Sequence, residues 1–298
     1  MTPVSDLSIT ICSWNTQADL RLCLASLEAE RPDFADLEVI VVDNNSEDGS
    51  PDMVAREFPA VRLLRQSVNL GFTGGHNHAL SVRSHPTALL LNSDTIVHRG
   101  ALRRLAEAAA ERPDAGVLGP RLLNPDASLQ KSCRRFPNPI AAAFRNTPLG
   151  KLFPNNRFVR EYLMEDYDHS LPRSVDWVSG AAMWVTGPAL DVLKGFDPEF
   201  FMYCEDVDLC WRARKAGFDV VYIPDSVIVH AIGRSTDQVP NRMIGRFHRS
   251  MLRFFLKNMV PERPLLLRPF SIAGAVLAIG IRASVFIVKN KIDRLRRR

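Results

Sequence analysis

The chain has 298 residues, 46% hydrophobic and 24% charged, a globular balance that excludes disordered, collagenous and low-complexity proteins. Its five cysteines, Cys12, Cys23, Cys133, Cys204 and Cys210, form no CxxC pair, which fits a reducing compartment and argues against a disulfide framework or structural zinc. The net charge of +5 resides in the last ten residues, which hold six Lys or Arg and one Asp, so no basic stripe supports a nucleic-acid partner.

The N-terminus has no basic stretch followed by an apolar run, and no secretory signal is expected there. Residues 7–12 read as a buried strand. Leu20, Cys23, Leu24 and Leu27 follow with the i, i+3, i+4, i+7 stripe of an amphipathic helix. Residues 37–42 are a second β-branched run ending at Asp43, and Ser50-Pro51 opens a short helix. Strands at 61–64 and 88–91 bracket a helix at 74–83. This alternation predicts a mostly parallel α/β sheet with helices on both faces. Ligands of such sheets sit outside the carboxyl ends of the strands, which here carry Trp14-Asn15, Asp43-Asn44 and Asn92-Ser93-Asp94.

Further along, Asn124-Pro125-Asp126 signals a hairpin turn within 121–135, and 138–173, without clean periodicity, reads as an insertion or mobile cover. A strand over 175–186, a helix over 206–215 and a strand over 220–223 complete the catalytic part, taken as residues 1–240. Residues 241–298 read as a helical, basic extension that associates with a membrane. Residues 248–257 mix aromatic and basic side chains as an interfacial helix does, and 269–288 are apolar and interrupted by Arg282. A single crossing would place the polybasic 289–298 outside a cytoplasmic domain, against the positive-inside tendency. An in-plane or re-entrant helix is therefore expected, with each basic residue contributing about 1 kcal/mol on anionic lipid.

Four clusters are candidates for chemistry. Asp43, at a strand end, can accept from a base or ribose, or merely organise its turn. Asn69-Leu-Gly-Phe-Thr-Gly-Gly-His-Asn-His78 is a Gly-rich segment before a helix, suited either to phosphate or to a tight connection, and lacks the Walker and dinucleotide fingerprints. Asn92 and Asp94 close an apolar strand, and one carboxylate suits a divalent ion completed by phosphates, waters and a residue such as His230. Glu205, Asp206 and Asp208 crowd a helix start. Capping explains one or two of them, and mutual repulsion would raise one pKa towards that of a working base.

These blocks, in order between Ser8 and Thr236, resemble the inverting family 2 glycosyltransferases of the GT-A fold, and most closely their rhamnosyltransferase-like branch. The resemblance rests on the strings at 41–50, 69–77, 89–95, 177–181 and 195–212. It implies Trp14 and Asp43 at the nucleotide base and ribose, with Asn69, Gly71, Gly75, Asn77 and Asn92 shaping the donor site. It implies Asp94, with His230, on a Mg2+ or Mn2+ that bridges the donor diphosphate. Asp206, beside Glu205, matches the base; Trp177, Gly180 and Asp208 belong to the acceptor side. Asn92 departs from the family's more usual carboxylate and leaves less negative charge on the metal.

The reaction so implied moves a sugar from a nucleotide diphosphate, dTDP-L-rhamnose first and a UDP-hexose second, to a hydroxyl of a saccharide or polyprenyl-linked acceptor. It would run at the inner face of the cell membrane. A nucleotidyltransferase would place a Gly-rich basic loop after the first strand, and residues 14–21 contain no glycine. A binding scaffold has no need of Asp94, Glu205, Asp206 and His230 together.

Overall fold

The computed structural model describes residues 6–145, 148–231 and 240–296. Alternation organises its first half. Strand β1 (Leu7–Ser13) leads to helix α1 (Gln17–Glu30), then β2 (Leu37–Asp43), α2 (Ser50–Glu57), β3 (Arg62–Arg65), α3 (Gly71–Ser81) and β4 (Ala88–Asn92). After β5 (Thr95–Val97) and α4 (Ala101–Glu111) come β6 (Ala115–Leu123), β7 (Leu129–Gln130) and β8 (Cys133–Arg134). The hairpin expected around Pro125 joins β6 to β7.

Residues 138–173 hold three short helices, α5 (Pro139–Phe144), α6 (Pro148–Leu152) and α7 (Arg157–Tyr162), rather than a bare loop. The single strand expected at 175–186 is divided. After β9 (Arg173–Ser174), β10 (Trp177–Val178) pairs with β8, and β11 (Ala182–Val185) enters the main sheet. Ser179-Gly180-Ala181 turns the chain between them because Gly180 leaves room for Asp206, whose Cβ would lie 3.2 Å from an added Cβ. Helix α8 (Gly187–Leu193), α9 (Glu205–Lys215), β12 (Asp219–His230), α10 (Pro240–Phe254) and α11 (Arg268–Arg296) complete the chain.

The main sheet runs β3-β2-β1-β4-β11-β6-β12-β5, parallel except where β11 and β5 run against their neighbours. Side chains alternate across it, as strand geometry requires. Leu89 and Leu91 join the cluster with α1 and α4, whereas Ala88 and Leu90 join the one with α8 and α9. Helices therefore cover both faces. Because β2 and β4 flank β1, the chain reverses direction across the sheet at the carboxyl ends of β1 and β4, the crevice where such sheets bind ligands.

The C-terminal segment has two characters. Phe254 of α10 is buried beside Trp211, and Arg253 and Lys257 pair with Asp197, Glu199 and Asp208. Of the cations in the interfacial helix expected at 248–257, Arg253 and Lys257 are thus turned to the catalytic domain, whereas Arg249 is exposed. Beyond it, Leu265–Ile287 is 23 residues with mean hydropathy 2.0 and is long and apolar enough to cross a membrane. Leu265, Leu266, Phe270 and Leu277 are exposed. The side chains of 289–298, to which the polybasic expectation applies, lie outside the described residues.

Candidate active site

Register assembles the donor-side residues. Ser13 pairs with Asp43 and Cys12 with Asn92, so Trp14, Asp43 and Asn92 emerge at one edge of three adjacent strands. Asp43 is buried; its Oδ2 accepts from the Ser46 N–H at 3.1 Å, and its Oδ1 has no partner. A buried carboxylate oxygen left open at a crevice calls for a donor from outside the chain. A chain of hydroxyls, Ser13 to Thr16 to Ser93, joins the ends of β1 and β4 at 3.0 Å per step.

The pairing of β5 with β12 sets His230 opposite Thr95 and so beside Asp94. Gln130 Nε2 donates to the His230 carbonyl at 2.6 Å, which leaves Gln130 Oε1 to accept the imidazole Nδ1 proton at 3.0 Å. Nε2 then holds a lone pair, 3.2 Å from Asn92 Nδ2 and 3.4 Å from Asp94 Oδ1. Asp94 Oδ1 and His230 Nε2, which here accepts from Asn92 Nδ2, are close enough to share Mn2+ or Mg2+ beside the unpartnered Asn92 Oδ1 once that amide gives way. Among the described residues no group of three His, Cys, Asp or Glu forms a closed site, so substrate and water would supply the other ligands. Gln130 carries no sequence signal; it lies 100 residues from His230.

Helix α9 presents Glu205 and Asp206 at its first turn, after Tyr203 and Cys204 at φ 71° and 63°. Two consecutive non-glycine residues in the left-handed region are costly and are retained where position matters. Asp206 Oδ2 accepts from the Gly180 N–H at 2.9 Å and Oδ1 from the Val207 N–H at 2.8 Å. Burial raises the Asp206 carboxyl above the ordinary aspartate value, against these hydrogen bonds and nearby Arg134. Glu205 is buried, its Oε2 unpartnered, and burial with the adjacent Asp206 holds it well above the usual carboxylate range.

Asp208 is a correction. It is fully buried, accepting from Arg212 Nε at 2.7 Å, Lys257 Nζ at 2.7 Å and Asn258 Nδ2 at 2.8 Å. Paired in this way it anchors α10 and Arg212, and it neither faces the acceptor side nor lends bare charge to Asp206. The Gly-rich segment makes the tight connection that its sequence allowed. Asn69 Oδ1 accepts from the Gly71 N–H at 2.8 Å, and the Phe72 N–H is taken by the Phe201 carbonyl at 3.0 Å. A Cβ on Gly75 would meet Cys12 Sγ at 2.5 Å, and both amide atoms of Asn77 bond Phe196, at 2.8 and 2.9 Å. The segment therefore packs α3 against β1 and holds the 195–201 loop. Asn44, expected only as a strand-end residue at the crevice, ties it to β2 by donating to the Gly71 carbonyl at 3.0 Å.

Glu205 and Asp206 line a cavity of about 880 Å³ that extends past Arg134 and Trp177 to α11. Trp177 is buried, with Nε1 donating to the Arg135 carbonyl at 2.9 Å, and Arg134 lies over its ring at 5.2 Å. The Asn92 N–H donates to the Ala181 carbonyl at 2.9 Å, one residue from Gly180, so a single turn connects the Asp94 corner to Asp206.

Residues 3–246 match the family model described as glycosyltransferase like family 2. The chain is 33% identical over 244 residues to N-acetylglucosaminyl-diphospho-decaprenol L-rhamnosyltransferase of Mycobacterium tuberculosis, a match covering 78% of each chain. It is 22% identical to the low-salt glycan biosynthesis hexosyltransferase Agl10 of Haloferax volcanii, over 74% of this chain and 65% of that one. A solved mannosyltransferase from Pyrobaculum calidifontis, in complex with GDP-Man and Mn2+, superposes with TM-score 0.57 at 18% identity, covering 97% of this chain and 80% of that chain.

Proposed function

The chain belongs to the family 2 glycosyltransferases, and on that premise we propose that it moves L-rhamnose from dTDP-L-rhamnose to a hydroxyl of a lipid-linked saccharide, with inversion. The observation that carries this reading is the join of two separate acidic functions by one turn. Asp94 with His230 stands on the donor side, and Asp206, held by the Gly180 N–H, on the cavity side. The similarity to the mycobacterial rhamnosyltransferase supports the sugar and the lipid-linked acceptor.

Single displacement needs one base and no covalent nucleophile. An acceptor hydroxyl in the cavity would give its proton to Asp206 as its oxygen attacks the anomeric carbon from the face opposite the nucleotide. The raised carboxyl of Asp206 suits that role, and the Gly180 and Val207 N–H groups fix its plane. Asp43 Oδ1, Trp14 and Asn92 are assigned to the nucleoside and its phosphates. Mn2+ or Mg2+ held by Asp94 and His230 would, when bound, stabilise the charge of the leaving diphosphate as a Lewis acid. Residues 1–240 are the catalytic unit. Residues 241–298 are a docking and membrane-associating extension, placed at the inner face of the cell membrane, where α11 meets lipid.

The test is a panel of nucleotide sugars given to the purified chain with and without Mn2+, following release of the nucleoside diphosphate. Metal-dependent turnover of dTDP-L-rhamnose above the other donors is expected. Preference for a UDP-hexose would overturn the sugar, and turnover of none would overturn the reaction.

A further inference from the structure

Three guanidinium groups stand in a row along the cavity, and the reaction as described uses none of them. Arg134 lies over Trp177 at 5.2 Å and over Tyr162 at 5.9 Å, and Arg145 lies over the same Tyr162 at 5.4 Å. Arg282, the charge that interrupts the apolar C-terminal helix, donates to the Ala142 carbonyl at 2.7 Å. All three line the cavity, and none is in an ion pair among the described residues. Arg134 Nε and Arg282 Nε are buried without partners. Burial and the neighbouring charge of Arg134 push Arg145 below its ordinary value. Like charges gathered in a poorly solvated space are unfavourable unless an anion completes them.

The surroundings identify the anion. On one side of the row is Asp206; on the other, Ala275, Ala278 and Ile279 of α11 give the cavity an apolar wall. The molecule that fits has a hydroxyl-bearing sugar, then two phosphates, then a hydrocarbon tail. We propose that this cavity is the acceptor site for a diphosphate-linked isoprenoid saccharide, with Arg134, Arg145 and Arg282 on the diphosphate and the inner face of α11 on the first isoprene units. The assignment rests on the glycosyl-transfer reading and adds to it the three residues that anchor the acceptor's diphosphate. Guanidinium forks match phosphate oxygens bidentately, so the row selects a phosphate-bearing acceptor over a free saccharide. It also explains why an arginine persists in an otherwise apolar helix: Arg282 faces the ligand and not the lipid.

Calorimetry on the full-length chain tests the site without requiring transfer, using farnesyl diphosphate, farnesol, inorganic diphosphate and dTDP as probes. Farnesyl diphosphate should bind more tightly than farnesol or inorganic diphosphate. Arg145→Gln and Arg282→Gln should each weaken it at least tenfold, with dTDP binding changed less than twofold. Arg145→Lys should lose less, and Ala278→Trp should weaken both farnesyl ligands by filling the apolar end; these two carry the test if a glutamine variant does not fold. No binding of farnesyl diphosphate would overturn the proposal. So would an equal loss for dTDP, which gives the arginines to the donor, or an equal loss of binding to phosphatidylglycerol vesicles, which gives them to the bilayer. Farnesyl diphosphate binding intact beside a nucleotide-sugar panel without turnover would sink the transfer reading and keep this site.

Discussion

His76 shows how one residue couples packing to pH. Its ring is fully buried, hydrogen-bonded through Nδ1 to Thr10 Oγ1 at 2.8 Å and packed edge-on to Phe72 and Phe196. Burial lowers its pKa from 6.5 to about 3, so the folded chain keeps the ring neutral where the unfolded chain protonates it. The unfolded state thus binds the extra proton between those values. The contribution of His76 is complete above pH 6.5 and is lost as pH falls towards 3, by up to about 1.4 kcal/mol per pH unit. Urea unfolding between pH 7 and pH 4 should show that slope, and His76→Gln should flatten it. An unchanged slope in the variant would assign the effect to another group. Asn77, on the same helix, spends both amide atoms on Phe196 and shows why a polar residue in a motif need not touch ligand.

Element pairing decides what the proposed metal corner contains. His230 reaches Asp94 because β12 runs twelve residues, from Asp219 to His230, and pairs antiparallel with the short β5. Gln130, on the hairpin strand β7, then fixes the ring through Nδ1. Partners of this second kind are worth roughly 10–100-fold in metal affinity. Gln130→Leu is therefore expected to weaken Mn2+-dependent binding of nucleoside diphosphate about tenfold, and Asp94→Ala to remove most of the metal enhancement. Calorimetry with and without Mn2+ reads both, and equal enhancement in wild type and Asp94→Ala would refute the corner.

Strands β1, β2 and β4 were legible because buried parallel strands are short apolar runs, and their polar last residues marked the crevice. The break at Gly180 was not, since 175–186 is apolar enough to pass for one strand and only the approach of Asp206 requires the turn. Asp206 and Glu205 were legible as an acidic helix start; Asp208 was misplaced because its partners Lys257 and Asn258 come from 50 residues away. Local pattern records which residues are acidic. Long-range contact decides which of them remain available.

At the scale of the whole molecule, the C-terminal segment has two characters. Helix α10 packs on the catalytic domain, and Lys257 just after it clamps the segment across Asp197 and Asp208 at 2.7 Å each. The segment from 265 onward instead leaves Leu265, Leu266, Phe270 and Leu277 in solvent, an apolar surface that a water-soluble monomer rarely keeps. Membrane association should therefore reside in 265–298 and not in α10. Removing those residues leaves the clamp intact and should move the protein from the membrane to the soluble fraction; unchanged membrane association would contradict this division.

The proposed transfer depends on Asp206 taking the acceptor proton. Its carboxyl is raised by burial, so the acid limb of the pH–rate profile should lie above the ordinary aspartate value of 3.8, with the rate rising as Asp206 loses its proton. The most direct measurement is the single-turnover transfer rate of Asp206→Asn beside its donor dissociation constant. The amide keeps the shape and cannot accept the proton, so the rate should fall roughly 10²–10⁴-fold, with donor affinity near wild type and Glu205→Gln milder. Retention of most of the rate in Asp206→Asn, with its loss in Glu205→Gln, would place the base on the other carboxylate and contradict the account.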